Sequence, residues 1–230
     1  MNKRRTHAIV LTRTDYGEAD RILTVLTPNA GKLSLMAKGA RKIKSKLAGG
    51  IELFSTSEIV YIPGKGSVAT LISSRLIHHY GRIVRDISRT MLGYELIKLL
   101  HSVTEDEPES DYYGLLESTF SVLDDESISV DFIRMWFSAQ LLRLAGHIPN
   151  MQTDTSGAKL DADEKYEFDY DATAFRARQD GTFDAKTIKF LRLVFGASLP
   201  HATARIDDSE RLARHIAPLV QTLRQLHLRA

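Results

Sequence analysis

Apolar residues recur at every second position through the first eighty residues and at every third or fourth beyond them, so a β-rich front precedes a helical body. The segments THAIVLTRT from Thr6, RILTVLT from Arg21 and KLSLMAK from Lys32 are β-branched or alternating, and each reads as a strand. Asp15-Tyr16-Gly17-Glu18 supplies the first turn, and Pro28-Asn29-Ala30-Gly31 the second. After a basic loop, FSTSEIVYI from Phe54 and SVATLISSRLI from Ser67 add two strands joined at Pro63-Gly64-Lys65-Gly66. A sheet this small cannot leave its edges open, and closure of five short strands predicts an OB-fold barrel over residues 1–80.

Past Tyr80 the period becomes helical. Ile87, Met91, Leu92, Leu96, Leu99, Leu100 and Val103 predict an amphipathic helix from about Arg82 to Ser102. EDEPESD at 105–111 is a polar break, a second helix runs from about Asp111 to Leu123, and a third from about Ser129 to Ala145. The third is apolar on two sides, with Phe132, Met135, Trp136, Ala139 and Leu142 on one and Ile133, Phe137, Leu141 and Leu144 on the next, as befits the centre of a bundle. Gly146 and Pro149 stop it. Residues 150–184 have no clean period and read as an irregular lobe, with a short hairpin near Tyr166–Tyr170. Two further helices, about 184–196 and 208–228, flank Leu199-Pro200. The expected fold is thus a β + α two-domain chain: a barrel over 1–80, and an all-α domain over 81–230 interrupted at 150–184.

Composition narrows the chemistry. With no cysteine among 230 residues, disulfides, thiolate nucleophiles and cysteine-ligated zinc are excluded for this chain. No apolar run reaches the ~20 residues of a membrane span, and MNKRRTHAIVL lacks the form of a signal peptide, so a cytoplasmic location is expected. The net charge of +2 conceals a division into +9 over residues 1–82, −12 over 83–185 and +5 over 186–230. A polyanion should therefore be sought at the front.

The centre of that charge is Gly31 to Lys46, with Lys32, Lys38, Arg41, Lys42, Lys44 and Lys46 and no acid between them. Leu33, Leu35 and Ala37 alternate as a buried strand face, so Lys32, Ser34, Met36 and Lys38 point outward. Same-face residues of a strand lie roughly 6.5 Å apart, a spacing that suits successive phosphates. The six basic residues are the candidate DNA site, with Arg13, Lys65 and Arg75 as outliers. OB-folds also stack bases on aromatics, for which Tyr16 is the leading candidate and Phe54 and Tyr61 are others. Catalysis finds little support: Asp124, Asp125, Glu126 and Asp131 sit at a helix break, His78-His79 face opposite sides of a strand, and no phosphate-binding glycine loop occurs. No cofactor and no enzymatic turnover are expected.

These residues resemble the RecO recombination mediators. The likeness rests on the first strand, the turn at Glu18 and Asp20, Thr27 with Gly31-Lys32, the Ala37-Lys38-Gly39-Ala40-Arg41 segment, and later Phe137, Leu141-Leu142-Arg143-Leu144, Gly146 and Pro149. The resemblance implies an OB-fold that binds single- and double-stranded DNA and a helical domain that meets partners. Those partners are RecR and the acidic C-terminal tail of single-stranded DNA-binding protein, with RecA loaded indirectly and complementary strands annealed. Arg134 and Arg143 are the candidates for holding that tail. Many members carry a four-cysteine zinc site after the third helix; Thr153 and Ser156 stand near its first pair, and His147 alone does not replace it, so no metal is expected. From barrel and charge alone, an RNA-binding OB module with a helical interaction domain is the alternative.

Overall fold

A computed structural model describes residues 2–104, 110–196 and 199–228; most of the polar break expected at 105–111 lies outside them. The chain forms two compact units, Met1–Glu126 and Ser127–Ala230.

In the first unit β1 (Arg4–Tyr16), β2 (Asp20–Thr27), β3 (Gly31–Ala37), β4 (Ser55–Ile62) and β5 (Val68–His79) close a barrel in the order β1-β2-β3-β5-β4. Strand β1 is long enough to serve two partners: Arg4 to Ile9 pair with β4, and Ile9 to Tyr16 with β2, with a register shift between Val10 and Thr12. The barrel is sealed by the parallel pairing of β3 and β5 at Ser34–Val68, Leu35–Ala69 and Met36–Thr70. Alternation does what the sequence predicts, since Leu35 and Ala37 are buried with Val10, Leu23, Val25, Ile59 and Leu71.

Helix α1 (Ile87–Val103) is capped by Asp86, whose carboxylate accepts the Arg89 amide, and α2 (Ser110–Leu123) follows. In α1, Leu92, Leu96, Leu99 and Leu100 are buried, whereas Ile87 and Met91 face solvent although the apolar pattern includes them. Arg89 is buried at the end of α2, donating to the carbonyls of Leu123 at 2.9 Å and Glu126 at 3.2 Å. Phe54 joins barrel and helices. Its ring meets Tyr94 of α1 and Phe120 of α2 edge-on at 5.3 and 5.5 Å, and Tyr80 packs on Phe120 at 5.5 Å. It does so from a left-handed backbone (φ 54°), a conformation costing a bulky residue about 1–3 kcal/mol. Full burial of a phenylalanine contributes about 1.5–3 kcal/mol, and aromatic pairs add about 0.5–1.5 each, so the packing outweighs the strain.

In the second unit α3 (Val130–Leu144) is buried from Phe132 to Leu142 except at Arg134, as its two apolar sides require. Ser129 caps it, accepting the Phe132 amide, and Gly146 closes it with φ 81°. Around it pack α4 (Ala185–Gly196), the short α5 (Pro200–Ala204) and α6 (Ser209–His227). The stretch read as irregular contains a three-stranded sheet of β6 (Asn150–Asp154), β7 (Tyr166–Asp169) and β8 (Ala174–Ala177), ordered β6-β8-β7. Strands of four or five residues are too short to show a period. The hairpin expected near Tyr166 is β7–β8, and it buries Tyr166, Phe168 and Phe175 against Phe183.

Gly93 is the place where α1 meets Phe54: a methyl group there would lie 2.5 Å from the ring. Gly93→Ala should lower unfolding free energy by about 1–3 kcal/mol, as overpacking does, in chemical denaturation followed by circular dichroism. An unchanged midpoint would show that the Phe54 wedge is not tightly held.

Candidate nucleic-acid interface

Strand β3 delivers the chain to Lys38, and Gly39 turns it with φ 65°, a region that favours glycine. The loop that follows is tied at both ends. At its start the Gly39 amide donates to the Asp20 carboxylate at 2.7 Å, and the Arg41 amide to the Ala19 carbonyl at 2.9 Å. The Arg41 guanidinium reaches the Asp15 carboxylate at 3.4 Å and the Gly17 carbonyl at 3.4 Å. At its end Leu47 and Ile51 enter the barrel core, the Leu47 carbonyl accepts the Ser74 hydroxyl at 2.9 Å, and Gly50 lies so close to Ser74 that a Cβ would clash at 2.6 Å.

Between these anchors Lys42, Lys44 and Lys46 are exposed, as is Lys38 just before them. The basic run contains no acid in sequence, but two acids reach it in space from the facing ends of β1 and β2, Asp15 and Asp20. Asp15 accepts from Arg21 at 2.9 Å as well as facing Arg41, and the Arg21 hydrogen bond, followed by the Arg41 charge, holds its carboxyl below the usual carboxylate value.

Lys32 leaves this group. Its ammonium donates to the carbonyls of His101 and Thr104 at the C-terminal end of α1, where a cation satisfies carbonyls the helix leaves without partners. Arg13 pairs with Glu52 at 2.6 Å and Arg75 with Glu58 at 3.4 Å, while Lys65 is exposed in the β4–β5 turn. Of the aromatics, Tyr61 and Phe54 are core residues, and Tyr16 stays open to solvent at the end of β1, not in the turn itself.

The second unit holds a cleft of about 510 Å³ between α3 and α6. Phe132, Met135, Ala213, Pro218 and Val220 give it an apolar floor, and Arg134, Arg214 and Arg224 edge it together with Asp131 and Glu210. Arg134, one of the two candidates for holding an acidic tail, lines this cleft. Arg143 is not among the lining residues; its guanidinium donates to Gln140 at 3.0 Å, and Gln140 in turn donates to the Val194 carbonyl. Arg214 and Arg224 are the residues sequence reasoning missed, because only the packing of α6 on α3 brings them to Arg134.

Residues 1–80 match the family profile described as recombination protein O N terminal, and residues 84–228 match recombination protein O C terminal. The chain belongs to the RecO family. Relatives named DNA repair protein RecO include those of Desulfatibacillum aliphaticivorans (34 % identical over 149 residues), Dehalococcoides mccartyi (33 % over 149) and Rhodopirellula baltica (34 % over 152). Each match covers 64 % of this chain and 58, 58 and 55 % of the relative, so the chain matches less than two thirds of their length.

The zinc that a RecO resemblance brings up does not fit the residues present. The Thr153 hydroxyl accepts from the Asn150 amide at 2.7 Å, and the Ser156 hydroxyl donates to Asp154 at 2.6 Å. Among the described residues no three His, Cys, Asp or Glu side chains gather as metal ligands, and His147 stacks on His227 with centroids 4.5 Å apart. Instead the Asp154 carboxylate closes the turn, accepting also the amides of Ser156 at 2.8 Å and Ala158 at 3.0 Å. The hydrogen bond from the Ser156 hydroxyl is the first cause that holds its carboxyl below the usual 3.8. A depressed carboxylate stabilises the fold above its unfolded pKa and loses that contribution as pH falls through the folded value. Asp154→Ala should therefore lower the thermal midpoint at neutral pH, with the gap to wild type closing below about pH 4, while a chelator leaves the wild-type midpoint unchanged. A midpoint that falls with chelator would contradict this account.

Proposed function

We propose that this chain is a DNA-repair mediator that binds single- and double-stranded DNA through the barrel and partner proteins through its helical part, with no catalytic step. Residues 1–80 carry the nucleic-acid contact and residues 81–230 the partner contacts. The observation that carries the reading is the anchored loop after β3, which holds Lys38, Lys42, Lys44 and Lys46 in solvent beside the barrel of a RecO-family chain. Like charges kept together on a fixed loop raise the local potential for phosphates. Four such contacts give a salt dependence with a log–log slope of roughly −3 on single strands (about −0.7 per contact).

The cleft between α3 and α6 supports the second half of the reading. An apolar floor edged by arginines suits a peptide that is acidic and ends in an aromatic residue with a free carboxylate, which describes the tail of single-stranded DNA-binding protein. Displacing that protein, annealing the freed strands and helping RecR to load RecA complete the proposed role.

Annealing of complementary DNA strands, bare or precoated with the cognate single-stranded DNA-binding protein, tests both halves. Wild type should accelerate both reactions. The triple variant Lys38→Glu, Lys42→Glu, Lys44→Glu should lose both, and Arg214→Glu with Arg224→Glu should lose only the precoated reaction. No acceleration of bare strands by folded wild type would overturn the mediator reading and favour an RNA-binding factor.

A further inference from the structure

The loop that bears the four lysines also bears Ile43, whose side chain is fully exposed, with a relative accessibility of 104 %. A lone exposed aliphatic is ordinary on a protein surface. This one is held differently. Its loop is fixed on one side by the bonds of Gly39 and Arg41 and on the other by burial of Leu47, and within it the Ser45 amide donates to the Lys42 carbonyl at 2.9 Å. Ile43 is thus presented between two exposed lysines on an ordered turn.

The second observation concerns the neighbouring hairpin end. Tyr16 is 55 % exposed at the end of β1, and the β1–β2 hairpin end is bound to the lysine loop through Asp15, Gly17, Ala19 and Asp20. Arg41 makes three of these ties, through its amide to Ala19 and its guanidinium to Asp15 and Gly17. A guanidinium so engaged serves the two loops before it serves a phosphate.

We propose that the β1–β2 hairpin end and the lysine loop form one base-contacting unit, in which Ile43 and Tyr16 bear on nucleobases of a single strand while the lysines meet its phosphates. Arg41 is a positioning residue that keeps the two loops together. The inference rests on the nucleic-acid reading above and adds to it that bases are contacted as well as backbone. On a single strand the base faces are open, so a tyrosine ring stacks on one and an exposed aliphatic side chain covers another, both without reading sequence. In a duplex the bases are already stacked, so the unit favours single strands, as a protein that anneals them requires.

The test compares binding of the full chain to a fluorescent oligothymidine with binding to an abasic oligonucleotide of equal length and charge. Wild type should bind the oligothymidine at least about fivefold more tightly than the abasic strand. Ile43→Ala and Tyr16→Ala should each remove much of that difference, leaving abasic binding and the salt slope as in wild type. In an Arg41→Ala background, which loses the guanidinium ties to Asp15 and Gly17 but keeps the backbone tie to Ala19, the further change Ile43→Ala should cost less than it does alone. If wild type binds both strands equally, or Ile43→Ala binds oligothymidine like wild type, the base contact is overturned. If Ile43→Ala costs as much in the Arg41→Ala background as alone, the positioning role is overturned. Failure of wild type to bind either strand would instead sink the nucleic-acid reading on which the inference stands.

Discussion

Closure of the barrel is the constraint from which the candidate interface follows. The parallel pairing of β3 with β5 seals it through three residue pairs, and β1 reaches both β2 and β4 only because its thirteen residues bend at a register shift. With the strands so fixed, the β1–β2 hairpin end and the start of the loop after β3 emerge beside each other, because Arg21 of β2 stands opposite Ala37 of β3. The acids of one and the amides and guanidinium of the other can then meet. A solvent-exposed ion pair such as Arg41–Asp15 adds little to stability, so it bears on the arrangement of the loops and not on the stability of the fold.

Stability is supplied where the barrel meets its helices. Phe54 accepts a left-handed backbone just before β4 and inserts its ring beside Gly93, between Tyr94 and Phe120. Lys32 and Arg89 act at the same level, each placing a cation on carbonyls at the end of a helix. These interactions make parts of the scaffold of two residues weighed as nucleic-acid contacts, Lys32 and Phe54. What is left for function is the set that the scaffold holds out to solvent.

Much of this was legible beforehand, for physical reasons that differ by region. The five strands announce themselves because each has one buried face, and α3 because it is apolar on two sides. Of the lobe at 150–184 only the hairpin near Tyr166 was legible: the rest of its order comes from a carboxylate-centred turn at Asp154 and from four aromatics brought together by a short sheet, and neither leaves a period. The site divides in the same way. Lys38, Lys42, Lys44 and Lys46, the proposed phosphate contacts, are legible as a cluster because they lie within nine residues of one another, and the fold leaves them exposed. The engagement of Lys32, the pairing of Arg41 with Asp15, the burial of Tyr61 and the meeting of Arg134 with Arg214 and Arg224 depend on residues distant in the chain. Charge counted along a sequence therefore overstates what the folded surface offers, and misses what packing assembles.

Lysine footprinting with an amine-reactive reagent, read by mass spectrometry with and without a saturating single-stranded oligonucleotide, addresses the central claim directly. The account predicts protection of Lys38, Lys42, Lys44 and Lys46, while Lys32, already held by the carbonyls at the end of α1, reacts slowly in both conditions. Protection confined to lysines of the second unit, such as Lys159, Lys165 and Lys189, with the loop after β3 reacting as in the free protein, would contradict it.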